Sequence, residues 1–152
     1  MFVPTFLRRV RTNKISEASE LLQEMSDRAA AYYATSWEGG KRFCLPESAG
    51  PTPATPTVDA TEVDFAAEQQ SGHASWEALA FQPDRPVRYS YSYRPSDHGC
   101  DLTAADELLS VSFRAEGDLD GDGVSSIFER RATIDVDGFK PADTLHVHQR
   151  VE

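Results

Sequence analysis

Cysteine is nearly missing from this chain: Cys44 and Cys100 are the only two in 152 residues. That excludes a thiolate zinc centre and leaves either one disulfide or two buried free thiols. Joined, the pair would close a loop of more than fifty residues, worth roughly 4 kcal/mol in the chain-entropy account. A disulfide would point, weakly, to an oxidising compartment. Long apolar runs are missing too, so the chain as given holds no segment of the roughly 18–20 residues that spans a bilayer. The opening MFVPTFLRRV turns basic too soon to read as a signal peptide. A basic excess is also lacking. Twenty-five acids oppose 15 bases, for a net charge of −10, which argues against nucleic acid as the main partner. Finally, the signatures of common catalytic sites are absent: no GxSxG elbow, no glycine-rich phosphate loop and no HExxH. The expectation is a chain that is not an enzyme.

What is present begins with a helix. Leu7, Val10, Ala18, Leu21, Leu22, Met25 and Ala29 recur at helical spacing over residues 6–35, and neither Gly nor Pro interrupts them. Arg8, Arg9, Arg11 and Lys14 cluster on this stretch, a solvated face or a membrane-surface signal. Gly39-Gly40 ends the pattern. A helix this long cannot be covered by a small domain along its whole length, so Leu7, Val10, Leu21, Leu22 and Met25 are expected to carry packing, in part against other chains.

Residues 45–75 change character. LPESAGPTPATPTVDATE carries four prolines and reads as an extended loop. Trp76, Leu79 and Phe81 return the chain to a core. From residue 86 onward the period is two. Val87, Tyr89, Tyr91 and Tyr93 share one strand face; Leu109, Val111, Phe113 and Ala115 mark a second strand. Phe128, Ala132, Ile134 and Val136 mark a third, and Leu145, Val147 and Val151 a fourth. The predicted fold class is α+β: a long N-terminal helix packed on an antiparallel sheet of about four strands. The predicted organisation is a single domain, with a helical stem over residues 1–38, a loop region over 39–85 and a sheet region over 86–152.

Between the second and third strands lies DLDGDGVSSIFE, residues 118–129. A calcium ion takes six to eight oxygens, and a twelve-residue loop supplies them at fixed positions. On that spacing Asp118, Asp120, Asp122 and Glu129 give carboxylates, Val124 a carbonyl, and Ser126 a hydroxyl or a water contact. Strands flank the loop where an EF-hand has helices, and Ser125 stands where that motif is apolar. Two readings stand equal: a structural Ca2+ site at a hairpin tip, or a metal-free turn favoured by the Asp-Gly steps. His146 and His148 share one face of the last strand; without a visible third ligand they read as a solvated face rather than a transition-metal site.

The opening residues carry one further signal. FVPTFLRRVRTNKISEASELLQEM resembles the segment of type IV pilins and pseudopilins just beyond their membrane-buried stretch. Pro4, Phe6, Arg8, Arg9, Lys14, Glu17 and Ala18 match that family's features as they stand here, over about 25 residues of the chain. AEGDLDGDG, residues 115–123, is similar to a stretch in some pilin-like proteins. The family's leader site and apolar run are not in this sequence, and its usual C-terminal disulfide loop does not match Cys44 and Cys100. The resemblance implies a pilin-like fold and a structural subunit of a type IV pilus or pseudopilus. Such a subunit polymerises with others through its helix and sits in an extracellular filament or anchored in the inner membrane facing the periplasm. The membrane would be touched only through an upstream segment, and this fragment alone should be soluble and monomeric. The alternative is an extracellular calcium-dependent binding or adhesion module with the helix as a stalk.

Overall fold

The computed structural model describes residues 5–103, 108–118 and 124–151, with side chains described from residue 16 onward and not at 124, 143–144 or 149–151. The helix α1 covers Thr5–Ala34, 30 residues, about 45 Å at the α-helical rise. Its described buried side chains, Glu17, Ala18, Leu21, Leu22, Met25, Ser26, Ala29 and Tyr33, advance by one, three and four residues and so form a single stripe. Beyond Ala34 the Thr35 hydroxyl donates to the carbonyl of Ala31 at 2.7 Å, closing the last turn. Trp37 folds back on Tyr32 with ring centroids 4.8 Å apart.

Five strands form one antiparallel sheet in sequential order: β1 (Ala49–Thr52), β2 (Ser90–Pro95), β3 (Leu109–Asp118), β4 (Val124–Asp135) and β5 (Gly138–Val151). A short helix, α2 (His73–Ala78), packs near β1. Alternation along the strands sends Tyr91, Tyr93, Val111, Phe113, Ala115, Phe128, Ala132 and Ile134 to the face that α1 covers, all buried. The segment between β1 and β2 closes the other flank. There Phe65, Trp76, Phe81 and Tyr91 meet at centroid distances of 5.3–6.3 Å, and the Trp76 indole donates to the Thr52 hydroxyl at 2.9 Å.

The predicted fold class is corrected here. The molecule is mostly antiparallel sheet, with one main helix of which 19 residues carry described side chains and one short helix beside it; it is not a long helix packed on about four strands. The pilin-like fold implied by the resemblance is corrected with it. One reason is β1, which arises inside the proline-rich segment that reads as a loop. Proline lacks the donor of a central strand but is tolerated at a sheet edge, and β1 is an edge strand. Gly50 sits there at φ 91°, where a Cβ would collide with the backbone of Tyr91 and Ser92. A second reason is strand length: β4 and β5 run 12 and 14 residues, longer than the alternation suggests. Val136 is not in the third strand at all; β4 ends at Asp135, and Val136 is 82% exposed in the turn.

Candidate functional site: the outer face of the sheet

Two polar constellations stand out, and they lie on opposite faces of the sheet. Under the helix, Glu17 is buried. Its carboxylate accepts from the Tyr91 hydroxyl at 2.8 Å and from the backbone N–H of Arg88 at 3.0 Å, with the Arg88 guanidinium 3.7 Å away. Burial first, then the charge of Glu17, holds the Tyr91 phenol well above its ordinary range. A carboxylate in a core needs such partners. This knot fastens the helix to the chain entering β2.

The opposite face is built by cross-strand register. Three rows run across it. Ser110 stands opposite Thr133, and Thr133 opposite Lys140. One step along, Arg94 faces Ser112, which faces Arg131; the third row runs Ser92, Arg114, Glu129, His146. Directly opposed side chains have Cβ atoms about 4.5–5.5 Å apart, so Ser112 lies between two arginines and Glu129 beside a third. Glu129 is only 3% exposed although it is on the outer face, because the arginines lie over it. Arg114 donates to its Oε2 at 2.8 and 3.2 Å, and Arg131 donates to its Oε1. Burial works to raise the Glu129 pKa, but the hydrogen bonds and charges of Arg114 and Arg131 outweigh it and hold the carboxyl below the usual range. Arg94 donates to the carbonyls of Ala49 and Gly50 at 2.7 and 2.9 Å, pinning β1 from the same face. The outcome is a groove of about 710 Å³, lined by these arginines and hydroxyls. Such a surface can pair with carboxylates or other anions through guanidinium edges that Glu129 does not use.

Of the acidic-loop residues, the structure describes the side chains of Asp118, Ser126 and Glu129. Asp118 ends β3 opposite Ser125. Asp120 and Asp122 lie outside the described residues, as does the side chain of Val124, which opens β4 opposite Val151. Ser126 is buried opposite Gly117, and three residues further along the same strand Glu129 points to the other face. Both Glu129 oxygens are held by arginines, Oε2 by Arg114 and Oε1 by Arg131. Among the described residues no group of three His, Cys, Asp or Glu is gathered to hold a metal. His146 and His148 stand opposite Glu129 and Ile127 on exposed positions.

The Cys44–Cys100 disulfide is formed, beside the bridge that pairs Leu45 with Gly99. Leu21, Leu22 and Met25 are buried in the domain's own core, whereas the side chains of Leu7 and Val10 lie outside the described residues. Reading along the chain misses Arg94, Arg114 and Arg131. The signal available was the polar half of each period-two pattern, but which polar residues stand side by side depends on register. No described helix is long and apolar enough to cross a membrane. Comparison with protein-family models, with curated proteins and with solved structures finds no match.

Proposed function

We propose that this chain is a structural subunit of a filament of the type IV pilus or pseudopilus class. Its N-terminal helix joins it to other subunits, and its sheet domain is displayed outside the membrane. The observation that carries this reading is that α1 runs unbroken from Thr5 to Ala34, through the segment whose sequence resembles the pilin stem, and buries Ala18, Leu21, Leu22 and Met25 in its own domain. Upstream, Leu7 and Val10 continue the helical pattern in the segment that resembles the pilin stem, where filaments bundle their subunits. The Glu17 knot supports the same reading, because a load carried along the helix needs a firm anchor in the domain. The disulfide suits a compartment outside the cytoplasm.

The test is incorporation in the source cells. Leu7→Arg and Val10→Arg, made in the native gene, should remove the protein from filaments sheared off the surface, while the purified chain keeps its thermal midpoint. Variant protein recovered in filaments at the wild-type level, or wild-type protein never found in them, overturns the reading.

A further inference from the structure

The chain carries a net charge of −10, yet the outer sheet groove exposes Arg94, Arg114 and Arg131 against only Glu116 and Glu129. On the helix side the balance is reversed. A pocket of about 610 Å³ is rimmed by Glu62, Asp64 and Asp84, whose side chains are all exposed. The arginine in that rim, Arg85, is paired with Glu20 of α1 at 2.7 Å, so it does not offset the three carboxylates. With Arg114 and Arg131 both held by Glu129, the sheet groove carries three arginines against two glutamates, an excess of one positive charge, to meet three carboxylates in the rim beside the helix.

We infer that the arginine-bearing outer face of the sheet docks the acidic rim of a second copy of this chain. This inference rests on the filament reading and names the contact between the displayed domains. The charges make the contact heterologous: a face of one sign meets a different face of the other. A heterologous contact that does not close on itself propagates into an open helical array. Two acidic rims would repel, so an isologous rim-to-rim contact is disfavoured by the same charges. The pairing is a rim-type electrostatic contact, weak in the isolated chain and screened by salt.

Cross-linking of the isolated chain tests it. Cys44 and Cys100 are bonded to each other and the chain has no free cysteine, so an introduced thiol is the sole reactive one. Chains carrying Ser112→Cys and chains carrying Glu62→Cys are mixed at low ionic strength under mild oxidation. The mixed cross-link should exceed both self-cross-links several-fold, and exceed that of Ser112→Cys with exposed Glu38→Cys by the same margin. It should vanish in roughly 1 M salt, where the Debye length is about 3 Å. Adding Asp84→Lys to the Glu62→Cys chain should abolish it with the fold, checked by circular dichroism, unchanged. Self-cross-linking of Ser112→Cys at or above the mixed level overturns the inference, as does a control pair that reacts equally well. A positive cross-link with no filament location in cells removes the filament reading alone. Loss of filaments on Leu7→Arg without any cross-link removes this contact alone.

Discussion

At the scale of single residues, Glu129 shows how position in a strand decides chemistry. Its carboxylate is 4% exposed, while the Arg114 and Arg131 side chains that hold it are 49% and 61% exposed. The ion pairs are thus half in water, and their strength is discounted accordingly. Glu129→Gln, which keeps shape and removes charge, should cost about 1–2 kcal/mol in denaturant unfolding. The pH dependence follows from the depressed carboxyl pKa. A group whose folded pKa is lowered gives its full stabilisation above the unfolded glutamate value, about 4.3, and loses it as pH falls through the lower folded value. The gap between wild type and Glu129→Gln should therefore narrow as pH drops below about 4.3. A gap that stays constant from neutral pH into that acid range would mean that the charge is not what Glu129 contributes. Any change in thermal midpoint on adding calcium should be the same in both proteins, since the arginines hold both Glu129 oxygens.

At the scale of elements, β1 is the part that the fold holds least directly, a strand of four residues at the sheet edge. Its register with β2 shifts between Ala49 and Thr52, and Arg94 spans that irregularity by donating to the carbonyls of Ala49 and Gly50. Arg94→Ala should release β1 without unfolding the sheet, costing about 1–3 kcal/mol for hydrogen bonds from a charged group. Hydrogen exchange should show faster amides at residues 49–52 with β3 and β4 unchanged; equal acceleration across all strands would show that β1 is not a separate unit. The same strand marks where sequence reading stops. Apolar period-two runs place the inward residues of β2, β3 and β4 because burial forces alternation, and the helical stripe from Ala18 to Ala29 is equally plain. Nothing local reveals that Ala49–Thr52, between prolines, pairs with Tyr91 and Tyr93. Nor does local pattern align Arg94, Ser112 and Arg131, because such rows exist only once three strands are in register. The acidic loop is legible only as spacing for a related reason. Its spacing assumes a loop to the twelfth residue, whereas β4 begins at Val124 and turns Ser126 and Glu129 to opposite faces.

At the scale of the whole molecule, tyrosine links the layers. Tyr33 on α1 donates to the Leu102 carbonyl at 2.8 Å, Tyr91 donates to Glu17, and Tyr93 reaches the Pro46 carbonyl at 3.2 Å. Tyr89 packs edge-on against Phe128 at 5.7 Å and lies over Gly117, where a Cβ would strike its ring. Burial is the first cause that raises the phenol pKa of Tyr33, Tyr89, Tyr91 and Tyr93. For the middle pair the charge of Glu17 adds to it. In the unfolded chain these phenols ionise near their ordinary value of about 10; in the folded chain they stay neutral beyond it. Above that value the unfolded state has released protons that the native state still holds, so stability declines as pH rises. The stabilisation is complete below about pH 10 and is lost through the folded values above it. Because the four phenols sit between helix, connecting segment and sheet, they should not titrate one by one. Phenolate absorbance from these residues should instead appear together with the loss of far-ultraviolet ellipticity, in one alkaline transition. A Tyr91→Phe variant, which leaves Glu17 buried without its hydroxyl donor, should unfold at lower denaturant concentration at neutral pH. Phenolate signal from Tyr89 or Tyr91 emerging well before the ellipticity changes would show that the helix parts from the sheet while the sheet survives, and that the Glu17 knot is not what binds the two.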